Sequence, residues 1–256
     1  MGVQIPITQT FLLPDGREVI METGKLAAQA HGSAMIRLGD TMLLATVVSN
    51  KEAKEGQPFF PLSVDYQEKF ASVGRVPGNF FRRETRLSDY EILISRLVDR
   101  AVRPLFPDGY MNETQIIINL ISADKDIMPD ALAALAASTA LSVSDIPWDG
   151  PISEVRVARI DGQFVVNPGR EALATADLDV IIAATIKDIM MVEGEANECS
   201  EHDLIEAIRI GHDAIKVQCQ AQIDLAKKVG AKATQKRVLA EAPSDDDLKK
   251  VIDQFS

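Results

Sequence analysis

The chain has 256 residues, of which 46% are hydrophobic and 25% are charged, a composition typical of a soluble protein with a substantial core. Its formal net charge is −11, so no overall positive field attracts nucleic acid, and any contact with RNA or DNA must be local. The two cysteines form no metal-ligand pattern, and no apolar run is long enough to span a membrane. We therefore expect a cytoplasmic protein without a disulfide framework or a zinc site.

The first part of the chain is predicted to be a β-sheet. Apolar and β-branched runs flank turn residues in two places, a pattern typical of β-hairpins. The expected strands cover 11–13 and 17–22 around one turn, 34–38 and 41–49 around the next, and then 59–66. A loop rich in glycine and proline follows the last of these strands.

Helical patterns begin at Ser88, which has the spacing of a capping box with Glu91. The residues expected on the buried face of this helix are Ile92, Leu93, Leu97 and Val98. A strand is predicted over 115–122, and a buried helix over 126–143 with Pro129 in its first turn. The alternation of strands and helices indicates a layered fold that contains both.

A smaller unit is predicted after the prolines at 147–151. Its strands are expected over 152–160, 163–167, 178–185 and 190–192 as a meander, followed by one amphipathic helix over 201–229. The predicted boundaries are 1–146 for the first subdomain, 147–232 for the second, and 233–256 for a linker and the start of a helical domain. Ser244 is a good helix start, and we expect a longer protein because a helix cut after about three turns buries little.

Two phenylalanines directly precede two arginines in the glycine-punctuated stretch 74–83. Phe80 and Phe81 can stack on bases while Arg82 and Arg83 neutralise phosphates, and stacking contributes about 1–3 kcal/mol per base. The alternative is a loop that runs into the core, with the phenylalanines buried and the arginines solvated. The segment alone leaves both interpretations open.

Three arginines follow on one face of the predicted helix. Arg96, Arg100 and Arg103 have the spacing i, i+4 and i+7, and the planar guanidinium is well suited to binding phosphate. The alternative is a set of ion pairs within the chain, for which the available acids are Asp89, Glu91 and Asp99. The spacing does not decide between RNA binding and internal ion pairs.

Other polar residues give weaker signals. His31 precedes a strand, where a histidine is more often a hydrogen-bonded loop residue than a general base. Asp177 and Asp179 alternate along a predicted strand and could bind a hard cation, as an autonomous metal-dependent hydrolase would require. A third ligand is missing from the pattern, so the hydrolase stays a minor alternative.

Four segments together resemble the first ribonuclease PH-like core of bacterial polynucleotide phosphorylases. They are Phe-Phe-Pro-Leu at 59–62, Gly-Arg-Val-Pro-Gly at 74–78, Phe-Phe-Arg-Arg-Glu at 80–84, and Arg-Leu-Val-Asp-Arg-Ala-Val-Arg-Pro-Leu-Phe-Pro at 96–107. The similarity extends over essentially the whole chain. It implies an α+β core of mixed sheets and helices, similar to domain 2 of ribosomal protein S5, followed by the start of an all-helical domain.

The resemblance also implies a function. Members of this family degrade RNA from its 3′ end by phosphorolysis, with inorganic phosphate as co-substrate and Mg²⁺ bound in a second core that this chain lacks. Three chains form a ring, and the expected partners are single-stranded mRNA 3′ ends and RNA-degradation complexes, with no membrane. The residues that the resemblance assigns to RNA binding are Phe80, Phe81, Arg82, Arg83, Arg96, Arg100 and Arg103.

The chain departs from the family's catalytic pattern. Active cores carry Asp, five residues, Asp, one residue and Lys, and the aligned positions here are Leu173, Asp179 and Ile181. Active cores also present serines at a helix N-terminus that binds phosphate, whereas this chain has carboxylates and a proline at 126–130. We therefore expect no catalytic residue and no metal site in this core. A ring subunit without direct RNA contact is the alternative.

Overall fold

Two β-sheets, with one buried helix between them, form the centre of the molecule. The computed structural model describes residues 5–78, 84 and 86–238. The α+β fold predicted from the sequence is confirmed. None of the helices in these residues combines the length and the apolar character that crossing a bilayer requires.

The first sheet has six strands: β1 (Ile7–Leu12), β2 (Glu18–Thr23), β3 (Gly32–Leu38), β4 (Thr41–Ser49), β5 (Leu62–Glu68) and β6 (Thr114–Ser122). Their order is β1-β2-β3-β4-β6-β5, and only the β5–β6 pair is parallel. Both predicted hairpins are confirmed. The prediction that the fifth strand begins at position 59 is wrong, because the Leu62 N–H donates to the Phe60 carbonyl in a tight turn and Pro61 has no N–H.

Helix α1 (Asp89–Val102) covers β5 and begins with the predicted capping box. The prediction for its buried face is partly wrong, because Ile92 and Leu93 are 45% and 49% exposed. The buried apolar residues repeat with helical period and are Ile94, Leu97, Val98, Ala101 and Val102. The position of β5 selects this face, and the two residues at 92 and 93 point away from the sheet.

Helix α2 (Asp130–Ser142) is buried on all sides because it packs on β3 and β4 of the first sheet and also on the second sheet. Gly32 permits the close approach of β3, since a Cβ at that position would lie 2.0 Å from the Ala140 carbonyl oxygen. The helix begins later than the predicted position 126. The Asp126 carbonyl accepts the N–H of Arg170 instead of a helical N–H, and Pro129 is the N-cap.

The second sheet has four strands: β7 (Ser153–Ile160), β8 (Gln163–Val166), β9 (Leu178–Ala184) and β10 (Ile189–Ala196). Their order is β10-β9-β7-β8, so the predicted meander is wrong: β9 pairs with β7 and not with β8. Between β8 and β9 the chain forms the short helix α3 (Arg170–Leu173). Its first N–H bonds to the carbonyl of Asp126, in the segment before α2, and the chain then returns on the other side of β7.

Helix α4 (Glu201–Val229) packs across the second sheet and also contacts β1. It is the single long helix predicted, with a second capping box at Ser200 and Asp203. A short helix α5 (Ala231–Thr234) follows, and Arg237 then bonds to Asp145 at 2.6 Å. The expected helix start at Ser244 lies outside the described residues, and the predicted boundaries 1–146, 147–232 and 233–256 stay predictions.

Candidate nucleic-acid interface

The four residues with the strongest predicted role in RNA binding, Phe80, Phe81, Arg82 and Arg83, lie outside the described residues. The surrounding structure is described on both sides of them. The chain leaves β5 through a short 3₁₀ turn (Phe70–Val73) and returns at the N-terminus of α1. The Phe70 N–H donates to the Glu84 carboxylate at 2.7 Å. This bond brings the residues that follow β5 close to residue 84, five residues before α1.

Arg96 and Arg100 are exposed on α1. Arg100 forms an ion pair with Glu193 of β10, and the side chains are 52% and 44% exposed. Within the part of the chain that the structure describes, Arg96 forms no ion pair. Exposed pairs contribute about 0–1 kcal/mol, so both guanidinium groups are accessible to a phosphate at little cost.

Arg103 is instead held within the chain. Its guanidinium donates to both Asp99 oxygens, at 3.1 and 2.7 Å, and to the carbonyls of Phe60 and Leu62, each at 3.1 Å. It also lies 5.6 Å from the centre of the Phe60 ring. Of the two alternatives that the sequence left open for Arg103, RNA binding and an internal ion pair, the observed contacts match the internal ion pair. Through these bonds the side chain connects the C-terminal end of α1 to the segment that leads into β5.

A cleft of about 340 Å³ opens between the Phe70–Val73 turn and the residues that precede α2. It contains three cationic side chains, Lys69, Lys125 and Arg170, and two acidic ones, Glu68 and Asp124. Sequence reasoning did not identify the three cations. They come from three distant segments, and no local spacing could have grouped them.

A largely buried arginine lies between two carboxylates at the start of α2. Arg156 of β7 forms ion pairs with Asp130, at the start of α2, and with Asp179 of β9, the latter at 2.5 Å. Asp130 is 1% exposed, and its other oxygen accepts the N–H of Ala131 at 2.8 Å. The first turn of α2 is therefore already occupied by a carboxylate of the chain itself.

Comparison with known proteins identifies the family. Residues 15–147 match the family described as 3′ exoribonuclease family, domain 1, and residues 150–214 match domain 2 of the same family. The chain belongs to the 3′ exoribonuclease family. The predicted ribonuclease PH-like fold is thereby confirmed.

Relatives and a solved structure agree with this assignment. Polyribonucleotide nucleotidyltransferase of Cytophaga hutchinsonii is 57% identical over 246 residues, which are 96% of this chain and 34% of the relative. The same enzyme of Bacteroides fragilis is 58% identical over 247 residues, covering 96% and 35%, and that of Amoebophilus asiaticus is 60% identical over 223, covering 87% and 31%. The resemblance to polynucleotide phosphorylases is confirmed, and the chain spans about a third of these relatives.

The Archaeoglobus fulgidus exosome, solved with RNA bound to its active site, has the same fold. The TM-score is 0.60 at 18% identity, and the match covers 79% of this chain and 89% of that chain. At this identity the likeness concerns the fold alone.

The three positions that the sequence resemblance aligns with the catalytic groups of active cores have other surroundings in this chain. Leu173 ends α3, Ile181 is buried and apolar, and Asp179 is bonded to Arg156. Within the described ranges, no group of three His, Cys, Asp or Glu side chains is arranged to hold a metal ion. Leu173 and Ile181 offer no oxygen ligand and Asp179 is bonded to Arg156, so these three positions do not fit Mg²⁺.

The second predicted carboxylate, Asp177, is bonded through both oxygens to Arg159 at 2.8 Å. This hydrogen bond lowers the pKa of Asp177. Arg159 also contacts Asp203 of α4 at 2.6 Å. Because Asp177 and Asp179 neutralise two different arginines, the metal-dependent hydrolase loses the two ligands on which it depended.

Glu154 is a further buried acid beside the Arg156 pairs. It is 1% exposed, and neither carboxylate oxygen has a hydrogen-bond partner among the described residues. Burial raises the pKa of Glu154 well above its ordinary value, and the charge of Asp130 acts in the same direction. Burial therefore favours the protonated form of this carboxyl, and sequence reasoning gave no signal for it.

His31 is a hydrogen-bonded loop residue, as predicted. Its Nδ1 accepts the N–H of Ser49 at 3.0 Å, and burial lowers its pKa. Both cysteines are free thiols. Burial raises the pKa of Cys219 to about 12, so this thiol is not a nucleophile at neutral pH.

Proposed function

We propose that the chain is the first core of a polyribonucleotide nucleotidyltransferase, and that it binds single-stranded RNA without performing the reaction. The parent enzyme degrades RNA from its 3′ end by phosphorolysis and releases nucleoside diphosphates. The observation that carries the proposal is Arg156, which bonds Asp130 and Asp179 where an active core requires phosphate-binding and metal-binding groups.

The charges at α2 are unsuited to phosphorolysis. Inorganic phosphate must be held as an anion while it attacks phosphorus, which requires a cation or free helical N–H groups. Here Asp130 occupies the first turn of α2, and its partner Arg156 is already bonded to two carboxylates. The Mg²⁺ and phosphate sites of the parent therefore belong to its second core, beyond this chain.

RNA binding is the role that the exposed surface supports. Phe80 and Phe81 stack on bases, while Arg82 and Arg83 neutralise phosphates together with Arg96 and Arg100. Arg103 supports this surface from behind through its bonds to the segment before β5. The cations of the adjacent cleft, Lys69, Lys125 and Arg170, extend the positive surface toward the second sheet.

The assembly of the parent stays a prediction from the resemblance: a ring of three chains, mRNA 3′ ends as substrate, RNA-degradation complexes as partners, and a cytoplasmic location. The alternative is a ring subunit that does not touch RNA. The two differ in whether substitutions on the proposed surface change RNA affinity.

The binding test uses fluorescently labelled oligoadenylate and this chain over a range of salt concentrations. Replacing Arg82 and Arg83 by alanine is expected to weaken binding and to reduce the salt slope by about 1.4, since each contact to a single strand contributes about 0.7. The matched control replaces Arg37 and Arg209, two other exposed arginines, by alanine. Unchanged affinity and slope in the first variant would favour the ring subunit without RNA contact.

The proposed absence of catalysis has its own test. Incubating the chain with oligoadenylate, inorganic phosphate and Mg²⁺ is expected to release no ADP. Release of ADP that disappears when phosphate is omitted would contradict the proposed absence of catalysis.

A further inference from the structure

A carboxylate of the second sheet meets the arginine-bearing face of α1. The Arg100 guanidinium donates to the carboxylate of Glu193, which lies in the edge strand β10 and is 93 positions away in sequence. Both side chains are about half exposed, so the pair lies at the surface. One arginine of the proposed RNA surface is therefore already bonded to an anion of the chain itself.

Packing fixes the backbone on both sides of this pair. Glu193 lies opposite Ile181 of β9, and Met191, two positions earlier on the same face of β10, is 5% exposed. On α1, Ala101 directly follows Arg100 and is fully buried. Neither backbone can move away without disrupting the core, so Glu193 stays within reach of Arg100 when a ligand approaches.

Each member of the pair has an unpaired neighbour of the same type. Arg96 lies about one helical turn before Arg100 and is exposed, and within the described residues it forms no ion pair. Glu195 lies two positions beyond Glu193 on the same face of β10, and it too is exposed and without an ion pair in the part of the chain that the structure describes. The two neighbours provide matched controls for the pair.

We propose that Glu193 competes with RNA phosphates for Arg100 and thereby limits the affinity of the α1 surface for RNA. A carboxylate and a phosphate both bind to the guanidinium, whose single positive charge the carboxylate already neutralises. Exposed ion pairs are weak, so Glu193 lowers the affinity for RNA without blocking the surface. The inference rests on the proposed function of α1 in binding RNA.

The alternative is that the pair only connects α1 to the second sheet. The two roles predict opposite changes in RNA affinity when Glu193 loses its charge. Loss of a purely structural contact would leave the affinity unchanged or lower it. Loss of a competitor raises the affinity, because Arg100 is then free to bind a phosphate.

The test compares Glu193→Gln with Glu195→Gln in the binding of fluorescently labelled oligoadenylate. Both variants remove one negative charge from the same face of β10, but only the first releases Arg100. Glu193→Gln is expected to bind about threefold more tightly than the unsubstituted chain, with a salt slope steeper by up to about 0.7, the contribution of one further contact to a single strand. Glu195→Gln is expected to stay within about 1.5-fold, with an unchanged slope. Equal gains in the two variants, or no gain in Glu193→Gln, would overturn the inference.

A second comparison shows whether the gain depends on Arg100. In a chain that already has Arg100→Ala, Glu193→Gln should give no larger gain than Glu195→Gln, because no guanidinium remains to be released. A threefold gain in that chain would contradict the competition. All these substitutions change exposed side chains, so the variants are expected to fold.

Substitution of the arginines alone separates this inference from the proposed function. If Arg96→Ala and Arg100→Ala weaken binding but Glu193→Gln does not strengthen it, α1 binds RNA and only the role of Glu193 is wrong. If neither arginine substitution changes the affinity or the salt slope, the proposed RNA binding by α1 is wrong, and the inference is wrong with it.

Discussion

Arginines occupy two contrasting environments in this molecule. On α1, Arg100 is 52% exposed and has one exposed partner, whereas Arg156 between the sheets is 12% exposed and has two carboxylate partners, of which Asp130 is buried and Asp179 is partly buried. A buried ion pair forms only if its partners compensate the loss of hydration, and afterwards it has no capacity for a ligand. The comparison shows that the position of the acids, rather than the presence of arginine, separates a structural site from a binding surface.

The contrast also bears on the proposal that this core binds RNA without performing the reaction. Asp130 and Arg156 neutralise each other at the first turn of α2, so the helix end no longer attracts an anion. The exposed face of α1 depends on none of these groups. The proposed binding residues and the Asp130–Arg156 pair therefore lie on different elements.

The largest expected effect comes from breaking the buried pairs. Arg156→Met should lower the free energy of unfolding by about 3–5 kcal/mol, because it leaves the buried Asp130 and the partly buried Asp179 without their cation. Urea denaturation measures the change. Arg209→Ala, which removes an arginine from exposed pairs on α4, is the control and should cost less than about 1 kcal/mol. Similar losses of stability in both variants would contradict the distinction between the Arg156 pairs and exposed ion pairs.

The next-largest expected effect is a pH-dependent change in stability at Glu154. The raised pKa of Glu154 means that the folded chain keeps this carboxyl protonated above pH 4.5, the ordinary value at which the unfolded chain ionises. Its contribution to stability is complete below that pH and is lost as pH rises, by up to about 1.4 kcal/mol per unit. Asp130 and Arg156 are the charged groups that face it. Glu154→Gln should therefore gain stability relative to the parent chain between pH 5 and 8.

Urea midpoints of the two proteins at a series of pH values measure this difference. At pH 4 the unfolded parent chain is mostly protonated at position 154. The difference in urea midpoint between the two proteins at that pH therefore serves as the reference. A difference that stays constant, or shrinks, as pH rises would show that Glu154 is ionised in the fold.

A smaller effect on stability is expected at Arg103, whose side chain is less exposed than that of Arg100 and more exposed than that of Arg156. Arg103→Lys keeps the charge but cannot form the fork to Asp99 while also reaching the carbonyls of Phe60 and Leu62. The expected loss is about 1 kcal/mol, measurable by urea denaturation. Arg100→Lys is the matched control, and a larger loss in the control would contradict the structural role of Arg103.

The smallest effect on stability is expected at Arg96. Arg96→Ala should change the free energy of unfolding by less than about 0.5 kcal/mol, because the side chain is exposed. The same substitution should reduce the salt slope of oligoadenylate binding by about 0.7. An unchanged slope would remove Arg96 from the RNA-binding surface and would sharpen the boundary of that surface.

The sequence by itself determined the elements whose signals are local. Both hairpins, the capping box at Ser88 and the long helix α4 follow from turn residues, cap spacing and hydrophobic periodicity. The family could also be identified from short motifs in a fixed order. These features depend on residues within a few positions of one another, so the linear order of the chain contains them completely.

Only the tertiary structure decided which residues meet across long separations. Arg156 lies 26 positions from Asp130 and 23 from Asp179, and the cations of the cleft come from three segments. The pairing of β9 with β7 and the exposed side of α1 are of the same kind, because each depends on where another element packs. A charge distant in sequence changes an arginine's role as fully as an adjacent one, since electrostatic energy depends on spatial distance and burial.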